Sequence, residues 1–167
     1  VNIIRRLCNM YDLMIIGSGP AGISAALTAK ARNLNFIWFG SRALSTKIEK
    51  AEKIMNYPGL PAVTGSEMQS VFLKQIDDCG ITITESQVNS IYDCGGYFAA
   101  GADNEIYEAK AVIMTVGMTT TREIEGEARL LGCGVSYCAT CDGALYKNKD
   151  IAVICASPKF EDEVTFL

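Results

Sequence analysis

The sequence predicts an α/β fold, a parallel sheet covered by helix, and three observations predict it. Leu13 to Ile16 is a short apolar run ending in glycine, the pattern of a strand buried on both faces. Ala21 to Ala31 is rich in alanine and reads as a helix. Asn35 to Phe39 is a second short apolar run, closed by Gly40. Strand, helix and strand within about 30 residues make a βαβ unit.

The remaining elements follow in order. A long connection from Ser41 to Val63 is punctuated by Pro58-Gly59 and Pro61; a connector of that length in a compact domain is functional. Ser66-Glu67-Met68-Gln69 is a capping-box pattern that opens a helix, and Gly80 ends it. Ile81 to Thr84 and Gln87 to Tyr92 alternate as strands do. Turn signals at Cys94-Gly95-Gly96 and Ala102-Asp103-Asn104 set Tyr97 to Ala100 and Glu105 to Glu108 into a small β-meander. Ala111 to Val116 is a further buried strand, ending at Gly117. The polar, threonine-rich stretch from Met118 to Gly126 marks a domain boundary. Beyond it a strand from Ile151 to Cys155 and the start of a helix after Pro158 cannot bury their own faces, so this second region reads as incomplete.

Composition excludes several classes. The net charge of −4 argues against a nucleic-acid binder, which would carry a basic face. No apolar run reaches the roughly 18 residues of a membrane span. Val1 to Asn9 has no signal-peptide core and reads as an extension before Met10, which places the protein in the cytoplasm. With no histidine in the chain, proton transfer falls to carboxylates, thiols or a cofactor.

Gly17-Ser18-Gly19-Pro20-Ala21-Gly22 matches G-x-G-x-x-G between the first strand and the first helix, as the Rossmann-like dinucleotide fingerprint requires. The first glycine makes the tight turn, the second lets backbone approach a pyrophosphate, and the third lets helix pack on strand. Pro20 fits the first helical turn, where its missing N–H costs nothing. The acidic residue expected after the second strand, for a ribose hydroxyl, is replaced by Phe39-Gly40-Ser41.

Cys138-Ala139-Thr140-Cys141 is a C-x-x-C element. Such a pair opening a helix puts both sulfurs on one face within disulfide reach, at the end where the helix dipole favours thiolate. Asp142 follows directly and is the nearest proton donor. Two other readings stay open. Cys133, Cys138 and Cys141 have the C-x4-C-x2-C spacing of a plant-type iron–sulfur site, with Cys155 as a fourth ligand, and a zinc site would need the same scattered cysteines. Two buried structural thiols are the bland alternative. A metal leaves the dinucleotide turn unexplained, and none is assigned.

Together these residues resemble the low-molecular-weight thioredoxin reductases. The matching pieces are Tyr11 to Gly22, Asn56-Tyr57-Pro58-Gly59, and Gly134-Val135-Ser136-Tyr137-Cys138-Ala139-Thr140-Cys141-Asp142-Gly143, in the family's order. The resemblance implies an FAD-binding domain over 10–117 and, over 118–167, the beginning of an inserted α/β domain of the redox and pyridine-nucleotide type. It implies that Gly17, Ser18, Gly19, Pro20, Ala21, Gly22 and Gly117 bind FAD with Asn56 near the flavin. It further implies that Cys138 and Cys141 cycle between dithiol and disulfide with Asp142 as the acid, that thioredoxin is the substrate, and that the assembly is a homodimer.

Two departures bear on the electron donor. Where NADPH-dependent relatives carry a second glycine-rich turn, this chain has Cys155-Ala156-Ser157-Pro158-Lys159-Phe160, and without glycines the backbone cannot closely approach a second pyrophosphate. Leu44-Ser45-Thr46-Lys47-Ile48 replaces a Gly-Gly-Gln-Leu stretch of many relatives. Both resemble the ferredoxin-dependent flavin thioredoxin reductases, with Lys47, Lys50 and Lys53 as a docking face for an acidic ferredoxin; interleaved with Glu49 and Glu52, they are also an ordinary solvated face.

Overall fold

The computed structural model describes residues 10–117, 124–131, 133–137, 139–155, 157–158 and 161–167. In chain order the elements are β1 (Tyr11–Ile16), α1 (Pro20–Ala31), β2 (Phe36–Phe39), α2 (Thr46–Glu49), α3 (Gly65–Asp78), β3 (Val88–Asp93), β4 (Phe98–Ala102), β5 (Glu105–Met114), α4 (Glu127–Leu130), α5 (Ala139–Asp142), a 3₁₀ turn (Gly143–Tyr146) and α6 (Glu161–Phe166).

Five strands form one sheet in the order β2-β1-β5-β4-β3. β1 pairs in parallel with β2 and with β5, Ile15 lying opposite Trp38 on one side and Ile113 on the other. Met14 and Ile15 are fully buried, as a strand flanked by parallel neighbours requires. The meander strands pair antiparallel, β3 with β4 and β4 with β5. Phe39, at the end of β2, packs edge-on against Tyr107 of β5, with ring centroids 5.0 Å apart, which ties the meander to the βαβ unit.

The α/β class, the βαβ unit and the meander stand as the sequence predicts; four local expectations change. The strands expected over Glu105 to Glu108 and Ala111 to Val116 are one ten-residue strand, β5. Its fully buried Ala109 faces Phe98 of β4 on one side and Tyr11 of β1 on the other. The sequence pattern breaks there because the strand changes partners, not because it ends. Ile81 to Thr84 contributes a single parallel bridge, Thr84 to Phe39, rather than a strand.

The box that caps α3 is Thr64-Gly65-Ser66-Glu67, two residues before the predicted one. The Glu67 amide donates to Thr64 Oγ1 at 3.2 Å, and the Thr64 amide donates to Glu67 Oε2 at 2.8 Å. Gly65 lies so close to the end of α2 that a Cβ there would stand 1.6 Å from the Ile48 carbonyl oxygen. Finally, Ile151 to Cys155 has no regular secondary structure and is exposed. No strand pairs with it among the described residues.

The chain divides into two compact units, each described by itself. The first takes in the described residues up to Thr46 and from Gln69 to Gly117, and holds the whole sheet. The second takes in Lys47 to Met68 and the described residues from Ile124 onward. Its described residues form short helices and isolated bridges, Ile54 with Val63 and Leu131 with Val135, and no sheet. No helix among the described residues is long and apolar enough to cross a membrane.

Candidate functional site

The first unit carries the glycine turn at the carboxyl end of β1. Gly17 has φ +112°, and a Cβ on it would stand 2.3 Å from the Thr115 carbonyl oxygen, so only glycine fits. Gly22, on the first turn of α1, would drive a Cβ to 2.0 Å from the Gly17 carbonyl oxygen. Gly19 differs in kind. Its backbone is extended (φ −71°, ψ 179°), and a Cβ would meet no atom within 4 Å. The space over Gly19 is open while Gly17 and Gly22 are closed by their neighbours. That is the cradle a pyrophosphate needs, and the residues present fit a dinucleotide. Pro20 begins α1, leaving the free first-turn amides of a twelve-residue helix at this end.

Several neighbours that sequence reasoning passed over shape the turn. Trp38 Nε1 donates to the Gly17 carbonyl at 2.9 Å, and the Thr115 hydroxyl lies within hydrogen-bond reach of the Ile16 and Gly17 carbonyls, at 2.9 and 3.0 Å. Buried Ser18 accepts the Ser41 amide at 3.0 Å and donates to the Leu44 carbonyl at 3.0 Å, tying the turn after β1 to the turn after β2. Gly40 is crowded against it, its missing Cβ only 2.5 Å from Ser18 Cβ. Glycine next to aromatic strand ends was the available signal; the hydroxyl bridges have none in sequence. Gly117, with φ +69° and open space around it, lies two residues beyond Thr115.

The second unit carries the cysteine segment. Cys138 lies outside the described residues, as does the side chain of Cys141. The backbone of Ala139–Asp142 is helical, continued by the 3₁₀ turn. Half-buried Asp142 accepts a hydrogen bond from the Ser136 hydroxyl at 2.5 Å. Before the pair, the Tyr137 hydroxyl donates to buried Glu127, which also accepts the Ile124 amide at 2.6 Å. These two bonds, the Tyr137 one first, hold the Glu127 carboxyl below its ordinary pKa.

Cys133 is exposed and its thiol donates to Glu52 at 3.2 Å. That bond to a carboxylate pushes the thiol pKa up, which disfavours the thiolate a metal would bind. No cluster of three or more metal-ligating side chains occurs among the described residues. Asn56 is exposed and belongs to this second unit, as do Lys50 and Lys53, both exposed.

A βαβ unit with this glycine cradle, followed along the chain by a meander and a C-x-x-C motif, defines a dinucleotide-binding type of α/β fold that carries a candidate redox pair. Residues 11–158 match the family model described as pyridine nucleotide-disulphide oxidoreductase, and the chain belongs to that family. Within it the chain falls among the low-molecular-weight thioredoxin reductases. It is 31% identical to a Bacillus subtilis thioredoxin reductase over 159 residues, which are 95% of this chain and 50% of that protein. Among solved structures, a ferredoxin-flavin thioredoxin reductase from Clostridium acetobutylicum is 47% identical with a TM-score of 0.65, covering 83% of this chain and 48% of that one. A thioredoxin reductase from Streptococcus pyogenes is 34% identical with a TM-score of 0.71, covering 83% and 46%. The chain thus spans about half the length of the curated relatives it matches.

Proposed function

We propose that this chain forms part of a flavin-dependent thioredoxin-disulfide reductase. The observation that carries the reading is the glycine cradle, closed at Gly17 and Gly22 and open at Gly19, in a chain that also carries C-x-x-C. Residues 10–117 are the FAD-binding domain, and 118–167 begin the redox and pyridine-nucleotide-type domain. Gly17, Ser18, Gly19, Pro20, Ala21, Gly22 and Gly117 would hold FAD, with Asn56 near its ring. When bound, FAD supplies a two-electron carrier that links a one- or two-electron donor to thiol chemistry.

The protein's own groups do the rest. In the dithiol state, one thiolate of the Cys138–Cys141 pair attacks a sulfur of the thioredoxin disulfide; a mixed disulfide forms and the other thioredoxin sulfur leaves as thiolate. The second cysteine then displaces it, closing the Cys138–Cys141 disulfide and releasing dithiol thioredoxin. Asp142 shuttles a proton for the thiolates, and Ser136 fixes the carboxylate that does so. The donor is ferredoxin rather than NADPH. Two observations support this: Cys155 to Phe160 lacks the glycines a second pyrophosphate needs, and the 47% identical Clostridium acetobutylicum protein is a ferredoxin-flavin enzyme. We place the full-length enzyme in the cytoplasm as a homodimer.

The test is an anaerobic visible spectrum of the FAD-reconstituted chain, before and after NADPH and then reduced ferredoxin. A flavin band that survives NADPH and bleaches with ferredoxin supports the reading. Bleaching by NADPH overturns the donor assignment, and failure to take up FAD overturns the site. Cys138→Ser is expected to abolish thioredoxin reduction while FAD stays bound; retained turnover would remove the cysteine pair from the reaction.

A further inference from the structure

In a dinucleotide fold, a carboxylate after the second strand accepts the ribose hydroxyls. This chain leaves β2 through Gly40-Ser41-Arg42 and has no acidic residue there. The structure brings one in from elsewhere. The segment ending at Thr84 runs parallel beside β2: the Thr84 amide donates to the Trp38 carbonyl at 2.7 Å, and the Gly40 amide to the Thr84 carbonyl at 3.2 Å. Residue 85 therefore leaves at the same sheet edge as the turn after β2. Glu85 Oε1 accepts the Arg42 amide at 2.8 Å. The preceding amide, that of Ser41, donates to Ser18 of the glycine turn. Carboxylate and glycine turn are thus bonded to adjacent amides of one loop.

Two further observations give Glu85 a free hand. It is exposed, and its Oε2 has no partner among the described residues. The cation of the turn after β2, Arg42, is engaged elsewhere: its guanidinium Nη2 meets both carboxylate oxygens of Asp77, at 3.0 and 3.1 Å. An arginine after β2 is otherwise the group that holds a ribose 2′-phosphate. Here Asp77 draws that charge aside.

We propose that Glu85 is a cofactor-binding residue, its carboxylate accepting the ribose hydroxyls of the adenosine held beside Gly17–Gly22. The Arg42–Asp77 pair keeps that place selective for an unphosphorylated ribose. The inference rests on the reading that the glycine turn binds FAD, and it names a residue outside the fingerprint as the one that completes the site.

The experiment is equilibrium binding to the full chain, followed by flavin fluorescence, with ADP and 2′-deoxy-ADP as competitors. The unmodified protein is expected to bind ADP about tenfold or more tightly than 2′-deoxy-ADP, the worth of a hydrogen bond to a charged group. Glu85→Ala is expected to lose that preference and to weaken FAD by a similar factor, with the melting temperature of the FAD-free protein unchanged because the residue is exposed. Asp77→Asn is expected to improve competition by 2′-phospho-ADP-ribose. Equal affinity of the unmodified protein for ADP and 2′-deoxy-ADP overturns the proposal whether or not any variant folds. Glu85→Ala binding FAD as the parent does, while Gly19→Val does not bind it, overturns the role of Glu85 and leaves the glycine site standing. No FAD binding by the unmodified protein overturns the parent reading instead.

Discussion

Ser18 shows how far the shape of a binding turn can depend on one hydroxyl. It joins the turn after β1 to the turn after β2, and it holds Leu44 by its carbonyl at φ +54°, a left-handed conformation that costs a residue with a Cβ about 1 kcal/mol. Ser18→Ala leaves a buried carbonyl and an amide short of a partner, at about 1–3 kcal/mol. A clear fall in the denaturant midpoint is the expected outcome; an unchanged midpoint would mean that water replaces both bonds.

The three fingerprint glycines separate by the same reasoning. Gly22→Ala places a methyl where the Gly17 carbonyl oxygen stands 2.0 Å away, so it is expected to unsettle the turn and lower the melting temperature with or without FAD. Gly19→Val places its Cβ where no protein atom lies within 4 Å. It is expected to melt like the parent and to bind FAD at least tenfold more weakly, because its side chain fills the space the pyrophosphate needs. Calorimetry of each variant with and without FAD distinguishes the two. A fingerprint read from sequence gives all three glycines one standing; only the neighbouring atoms sort a folding glycine from a binding one.

Among the elements, those of the βαβ unit were legible because each is bounded by its own glycine and buried on its own pattern. The start of α3 was not, since two capping boxes overlap: Thr64-x-x-Glu67 and Ser66-x-x-Gln69 satisfy the same rule. The contact of Gly65 with Ile48 selects the first, and no local pattern carries that contact. β5 was split for a related reason, its two halves answering to different partners.

The observed cap makes a pH-dependent expectation. Glu67 accepts bonds from the Thr64 amide and hydroxyl, which hold its carboxyl below the ordinary value. A carboxylate with a lowered folded-state pKa contributes stability above its unfolded pKa and loses it as pH falls through the folded one. Glu67→Gln is therefore expected to destabilise near neutrality and to converge on the parent in acid. Thr64→Ala, which removes the other half of the box, is expected to cost about 1 kcal/mol near neutrality. Hydrogen exchange of the first-turn amides of α3 between pH 7 and 3 checks both; a Glu67→Gln effect that does not shrink on acidification would assign the cap to Thr64 alone.

At the scale of the whole molecule, burial is distributed unevenly between the two units. Among the described residues, Met68 is the one buried apolar side chain of the second unit; every other, from Leu13 to Ala109, belongs to the first. The C-x-x-C motif was legible in the second unit because the pattern is local. Its architecture was not, because a strand expected at Ile151 to Cys155 needs a neighbour to pair with, and Ile154 instead stands 72% exposed. Amide protection follows buried contacts and paired backbone, so the two units should not open together. Native-state hydrogen exchange is expected to give the slowest amides at Met14 to Ile16 and Ile37 to Phe39, and exchange faster by several orders of magnitude over 139–155. Added FAD is expected to slow Gly17 to Ile23 further, as ligand bound to the folded state stabilises it by mass action. Equal protection across both units would mean that the second is held by contacts beyond its own core, and FAD-independent exchange at the turn would separate the cradle from the cofactor.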